Sequence, residues 1–212
     1  MLLQPGRRWQ NIRVGISRQQ FEQMQARLNG KAAAAPPSAA RRAPRLERTI
    51  LGIDPSLRGT GYGIIRVGGP HAVSVVHGTV ACPKDWERSR CLAKIAQTLR
   101  DLLLAHSPEV CVVEGLFFAQ NLKTAIVMGE ARGAALAAVG ESGVEIFEIA
   151  TRKVKQAIVG YGAAQKIAVA KMVQRLLALP ELPAPDAADA LALALAFAQE
   201  QGRYRLNAPK KI

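Results

Sequence analysis

Two short apolar runs in this chain each end on an acid. Residues 49–53 lead straight into Asp54, and residues 110–113 into Glu114. Runs this short and this apolar are the pattern of strands buried on both faces of a sheet, as parallel strands are in α/β proteins. An acid that closes such a strand lies at the carboxyl edge of the sheet, where ligand sites of open α/β sheets form. Taken singly, each acid can equally mark the point where its strand emerges into solvent. Two in one sheet bring a shared cation within reach of both, provided the strands are neighbours.

The segments between and after these runs supply the rest of a sheet and its cover. Residues 61–67 and 73–80 read as two further strands separated by Gly-rich turns. From 85 to 105 the apolar residues Leu92, Ile95, Ala96, Leu99, Leu102 and Leu103 recur at the spacing of an amphipathic helix. Helices are also expected over 122–139, 164–177 and 186–200, with a fifth strand at 145–149. Pro180, Pro183 and Pro185 break the chain before the last helix. Three strands followed by alternation of helix and strand predict an α/β fold with five strands, antiparallel at its start and parallel at its finish.

The last helix brings two more acids. Asp186 and Asp189 are three residues apart at its start and share one face. A capping box accounts for Asp186 well and for Asp189 passably. It leaves unexplained why the helix beyond Asp189 is apolar on nearly every side, as only a helix packed inside a protein should be. Two acids at the mouth of such a helix repel unless a cation lies between them. Four oxygen ligands, Asp54, Glu114, Asp186 and Asp189, suit Mg²⁺ or Mn²⁺ rather than zinc. A pair of such ions can activate water and stabilise the leaving oxygen of a phosphodiester.

Charge points to the same class of partner. The chain has 29 Lys and Arg against 16 Asp and Glu, a net charge of +13, which suits a polyanion, nucleic acid or an anionic membrane surface. Residues 1–48 hold ten of the basic residues and only two acids, and end in an Ala/Pro/Arg-rich run. They read as a flexible basic extension with a short helix over 17–28: a leader without function, a DNA-binding arm or an organelle transit peptide. Residues 49–201 form the expected domain and 202–212 a basic tail. No apolar stretch reaches the roughly 20 residues of a bilayer-spanning helix, and no secretory signal is visible. Cys82, Cys91 and Cys111 lack C-x-x-C spacing, and His71, His77 and His106 form no ligand pattern. Disulfide frameworks, structural zinc and His-based triads are thereby disfavoured, and a reducing, cytoplasmic compartment is expected.

Five stretches then carry a resemblance: I-L-G-I-D-P-S-L-R-G-T-G-Y-G (50–63), V-V-E-G-L-F-F-A-Q-N (112–121), G-E-A-R-G-A (129–134), V-K-Q-A-I-V-G-Y-G-A-A-Q-K (154–166) and D-A-A-D-A-L-A (186–192). In order and spacing they resemble the RuvC family, bacterial Holliday-junction resolvases of the RNase H-like superfamily. The resemblance covers about residues 49–199. It implies an RNase H-like three-layer fold with a five-stranded mixed sheet, a homodimer, four-way junction DNA as substrate, and the branch-migration partners RuvA and RuvB. It implies paired symmetric nicks leaving 5′-phosphate and 3′-hydroxyl ends, made with two Mg²⁺ ions (Mn²⁺ substituting) on Asp54, Glu114, Asp186 and Asp189.

By matched position Phe117 corresponds to an aromatic that stacks on a base at the crossover; as a plain core residue it would pack beside Phe118. Lys155 and Lys166 correspond to lysines near the scissile phosphate, against the plainer reading of solvated helix charge. Arg58, Lys123, Arg132 and Arg152 are read as ordinary structural or surface charges rather than phosphate contacts. The family's glycine after D-P is Ser56 here, and Gly115 stands where a larger residue is usual. Two other readings remain open: a junction-binding protein whose metal site these changes have distorted, or an RNase H-like nuclease for flaps or RNA–DNA hybrids.

Overall fold

The register of the sheet follows from how its two acid-ended strands alternate. In the computed structural model, which describes residues 47–115, 121–200 and 209–212, β1 (Arg48–Asp54) and β4 (Val110–Glu114) are adjacent and parallel. Ile50 lies opposite Val110, Gly52 opposite Val112 and Ile53 opposite Val113. The two strands are therefore in phase, and their last residues, Asp54 and Glu114, come side by side on the same face.

On the other side of β1 run β2 (Gly59–Val67) and then β3 (Val73–Ala81), both antiparallel to their neighbours. Beyond β4 comes β5 (Glu145–Ile149), parallel to it. This is the expected antiparallel start and parallel finish, with one strand more than the expected five. Lys210–Lys211, in the basic tail, form a short β6 antiparallel to β5, so the order is β3-β2-β1-β4-β5-β6. A bond from Ile212 N to Ile146 O and an ion pair between Lys211 and Glu145 hold it there. Nothing in the residue pattern of a two-lysine strand announces it.

Helices cover both faces. One face carries α1 (Arg88–His106) and α2 (Leu122–Glu141). Leu51, Ile53, Ile64, Val80 and Cys111 of the sheet meet Ile95, Leu99, Leu102 and Leu103 of α1 and Ala131, Ala135, Ala138 and Val139 of α2. The other face carries α3 (Thr151–Val159), α4 (Lys166–Leu176) and α5 (Pro185–Glu200). There Ile50, Ile65, Val110, Val112 and Ile149 meet Val154, Ile158, Val169, Val173 and the run from Leu191 to Phe197. Helix α3 is absent from the residue-by-residue reading because it is short, nine residues, and only Val154 and Ile158, four apart, are buried.

Helix α5 is the deepest element. Ten of its residues between Ala187 and Phe197 are buried, Asp189 being the exception. Phe197 meets Phe147 with ring centroids 5.0 Å apart. The helix can lie so close because the strands beneath it carry glycine where its first turns touch them. A β-carbon on Gly52 would fall 1.9 Å from the carbonyl oxygen of Ala190, and one on Gly61 would fall 1.9 Å from that of Asp186. Glycine at these positions is thus a requirement of helix-on-strand contact rather than of backbone conformation. The start of α5 also differs from a capping box. Pro185 occupies the first helical position and Ala188 N donates to Ala184 O at 2.8 Å, so Asp186 lies inside the first turn. Of the sequence expectations, the helix at 17–28, all but the last two residues of the extension 1–48, and Phe117 lie outside the described residues.

Candidate active site

The close seat of α5 decides what surrounds Asp54. Across the sheet Asp54 pairs with Gly61, and Gly61 lies directly under the backbone of Asp186. A β-carbon on the neighbouring Gly59 would come within 2.7 Å of Asp186 Oδ2. Asp186 therefore overhangs the end of β1, with Asp189 on the same helix face. Glu114 flanks Asp54 from the β4 side.

The electrostatics record this convergence. Asp54 is pushed up from the ordinary carboxyl value to about 7. Burial is the largest cause, followed by the negative charges of Glu114, Asp189 and Asp186, with Lys166 opposing. The other three sequence-derived acids thus all act on Asp54. Among the described residues, no three acidic, His or Cys side chains close tightly enough to enclose an ion as they stand; the carboxylates face each other at longer range. Their chemistry nonetheless fits a hard divalent cation: the donors are oxygen only, and a buried acid loaded with like charge is relieved by a cation.

Lys166, the first residue of α4, joins the cluster. Its Nζ lies 2.7 Å from Asp189 Oδ2, a bond that together with Asp54 and Glu114 holds its pKa above the ordinary lysine value. Lys155 sits on α3, half-buried, four residues beyond Thr151 and on the same helical face. Its ammonium is not among the charges that act on Asp54. The structure brings five of the seven expected site residues together, places Lys155 on an adjoining helix, and leaves Phe117 outside the described residues.

Two residues at this edge escape a sequence-only reading of the site. Thr151 donates its hydroxyl hydrogen bond to Glu114 Oε1. Arg132, 6% exposed, donates to the main-chain oxygen of Glu114 and, at 2.5 Å, to Glu148 Oε2. Its surroundings in sequence hold the one available signal: Ala131, Ala135 and Ala138 form the buried stripe of α2, and Arg132 borders it. Arg58 is likewise structural, donating to the main-chain oxygens of Pro83 and Trp86. Ser56, one of the departures from the family pattern, is accommodated within its own turn. Ser56 keeps a negative φ, as no residue of its loop appears among the positive-φ positions. Its N–H donates to Thr60 Oγ1 at 3.2 Å, and its carbonyl accepts from the same hydroxyl at 2.6 Å. The turn after Asp54 is closed by threonine and needs no glycine.

Comparison with known proteins agrees with this geometry. The family model described as crossover junction endodeoxyribonuclease RuvC matches residues 50–197. A crossover junction endodeoxyribonuclease RuvC of Thermotoga petrophila is 42% identical over 159 residues, covering 74% of this chain and 96% of the relative. One from Coxiella burnetii is 44% identical over 151 residues, covering 71% and 87%. Among solved structures, Thermus thermophilus RuvC in complex with Holliday junction substrate superposes with a TM-score of 0.71 at 33% identity, covering 78% of this chain and 99% of that one. A yeast mitochondrial Holliday junction resolvase, at 12% identity and a TM-score of 0.51, shares the fold. The sheet with its two helical layers is accordingly the RNase H-like fold, and the chain belongs to the RuvC family of crossover junction endodeoxyribonucleases.

Proposed function

We propose that this protein resolves four-way DNA junctions by hydrolysing one phosphodiester on each of two strands of like polarity, leaving 5′-phosphate and 3′-hydroxyl ends. The observation that carries the reading is Asp54, half-buried and loaded by three further carboxylates at the carboxyl edge of the sheet. Divalent-metal dependence comes with the family. Here Asp54, Glu114, Asp186 and Asp189 would hold two Mg²⁺ ions, or Mn²⁺ in their place, which supply an activated water and stabilise the leaving oxygen.

The chain's own groups do the rest. The buried end of β1 fixes Asp54 and limits its access to water, so its charge is little screened. Lys166, tied to Asp189 in the free protein, offers its ammonium to the phosphate being cut. Lys155, on the helix face that also carries Thr151, and Phe117, stacking on a base at the opened crossover, contact the DNA. The basic surface, net +13 over the chain, draws in the polyanion while the acids stay reserved for cations.

Paired cuts call for two sites, and a homodimer provides them. On α2, Leu122, Ile126, Gly129, Gly133 and Gly140 recur along one exposed stripe, and β-carbons on the three glycines would meet open space. An exposed stripe of this kind favours a second copy as its cover. RuvA and RuvB complete the proposal as partners that move the junction, and the cytoplasm as its location. Three buried, free cysteines accord with that compartment. Among the described residues no helix is long and apolar enough to cross a membrane.

The decisive assay cuts a synthetic four-way junction beside a matched linear duplex, with Mg²⁺ or with EDTA. Wild type should nick only the junction, symmetrically and only with metal, and Asp54→Asn should bind it without cutting. An active Asp54→Asn protein, or faster cutting of an RNA–DNA hybrid than of the junction, would overturn the reading.

A further inference from the structure

Glu114 is held differently from the other three carboxylates. Its main chain is fixed on both sides: Arg132 donates to its carbonyl oxygen, and Gly115 N donates to Ile149 O at 2.8 Å. Arg132 is itself anchored by Glu148. A β-carbon on Gly115 would come within 3.3 Å of Glu148 Oε1, so glycine here leaves room for that ion pair. Its side chain is fixed as well, by Thr151 at the first position of α3. The N-cap of α3 is Ala150, which has no side-chain group to cap with. The Thr151 hydroxyl nevertheless reaches across 37 residues of sequence to Glu114 instead of to its own helix end.

We infer that Thr151 is a positioning residue for Glu114: its hydroxyl commits one carboxylate oxygen to the protein and leaves the other directed for a divalent cation. The inference rests on the reading of Glu114 as a cation ligand and deepens it. The physical reason is rotational. A glutamate with both oxygens free samples several side-chain rotamers, and a cation must stop that motion as it binds. A hydroxyl bonded to an ionised oxygen is a charge-assisted bond, about twice as strong as a neutral one, and it stops the motion in advance. Partners of metal ligands in other proteins contribute about 10–100-fold in metal affinity in this way.

The test is Mn²⁺ binding to the full-length protein without DNA, followed by titration calorimetry and electron paramagnetic resonance. It compares wild type with Thr151→Val, Thr151→Ser and Glu114→Gln, each checked by circular dichroism for an unchanged melting curve. Thr151→Val keeps the shape of threonine and removes the donor, and should weaken Mn²⁺ binding about tenfold. Thr151→Ser restores the hydroxyl and should return to within about twofold of wild type. Junction binding in EDTA should be the same for wild type and Thr151→Val. Wild-type affinity in Thr151→Val, with Glu114→Gln weakened, overturns the role of Thr151 and spares the ligand reading. Equal loss in the Val and Ser variants also overturns it, because the hydroxyl would not be what matters. Wild-type affinity in Glu114→Gln overturns the ligand reading and this inference with it.

Discussion

The two faces of the sheet are built on opposite principles. Under α1 and α2 the contact is made by bulky side chains, Leu51, Ile53 and Ile64 against Ile95, Leu99 and Leu103. Under the first turns of α5 it is made by backbone, with Gly52 and Gly61 directly beneath the carbonyls of Ala190 and Asp186, and side chains pack only further along that helix. Large side chains can repack around a changed neighbour, so the first face tolerates variation in volume. Backbone laid on backbone has no such freedom, so the second face fixes the helix to within a fraction of an ångström. The acids belong to the second face. The face that cannot drift is thus the one that carries the four clustered carboxylates.

That contrast can be broken most severely at Gly61. Gly61→Ala puts a methyl group 1.9 Å from a carbonyl oxygen, and should cost more than about 4 kcal/mol in urea denaturation, or prevent folding outright. Leu99→Ala, on the opposite face, is fully buried too. It should cost about 2–5 kcal/mol, yet cleavage per folded molecule should stay near wild type, since the α5 face is untouched. Equal loss of catalysis from both variants at matched stability would erase the distinction.

The next effect depends on pH. Asp54 titrates near 7 in the metal-free fold against 3.8 in the unfolded chain. Between those values the folded state holds the extra proton, so stability should fall as pH rises from about 4 to about 7, and then level off. The slope from this group approaches 1.4 kcal/mol per pH unit. Asp54→Asn should flatten that slope, and Mg²⁺ added at pH 8 should recover part of the lost stability. A metal-free protein whose denaturation midpoint is constant from pH 4 to 7 would refute the electrostatic picture of the site. The smallest effect is expected at Ser56→Gly. It restores the usual residue at a position of negative φ, so it should lower stability by less than about 1 kcal/mol and leave cleavage unchanged.

How much of this could be read before the structure differs between the same two regions. That β1 and β4 each close on an acid at the sheet's carboxyl edge is legible because both apolar runs end there, but that the two strands are neighbours and in phase comes from the structure. The burial of α5 was legible because an apolar helix without a polar side has no place on a surface. The hydrogen bond from Thr151 to Glu114 was not, because it joins residues 37 apart through a turn whose direction tertiary packing sets. Sequence alone marks Arg132 as an ordinary charge, whereas in the fold it is buried and donates to the Glu114 carbonyl and to Glu148. Its burial beneath Glu114 follows from the packing of α2 on the sheet, and sequence carries only the hint of its neighbouring alanines. The pairing of β6 is settled by register with β5, a property of two strands together.

The seat of the last helix on the first strand also governs when the protein becomes a nuclease. Asp54 lies at the end of β1 and Asp189 near the start of α5, so these two carboxylates meet only after nearly the whole domain has left the ribosome and closed on itself. Contacts of such long sequence separation form late and cooperatively. A nascent or partly unfolded chain therefore carries the acids without carrying the site. The cluster arrives together with the complete fold, and a chain that loses α5 from the sheet loses Asp186 and Asp189 from beside Asp54.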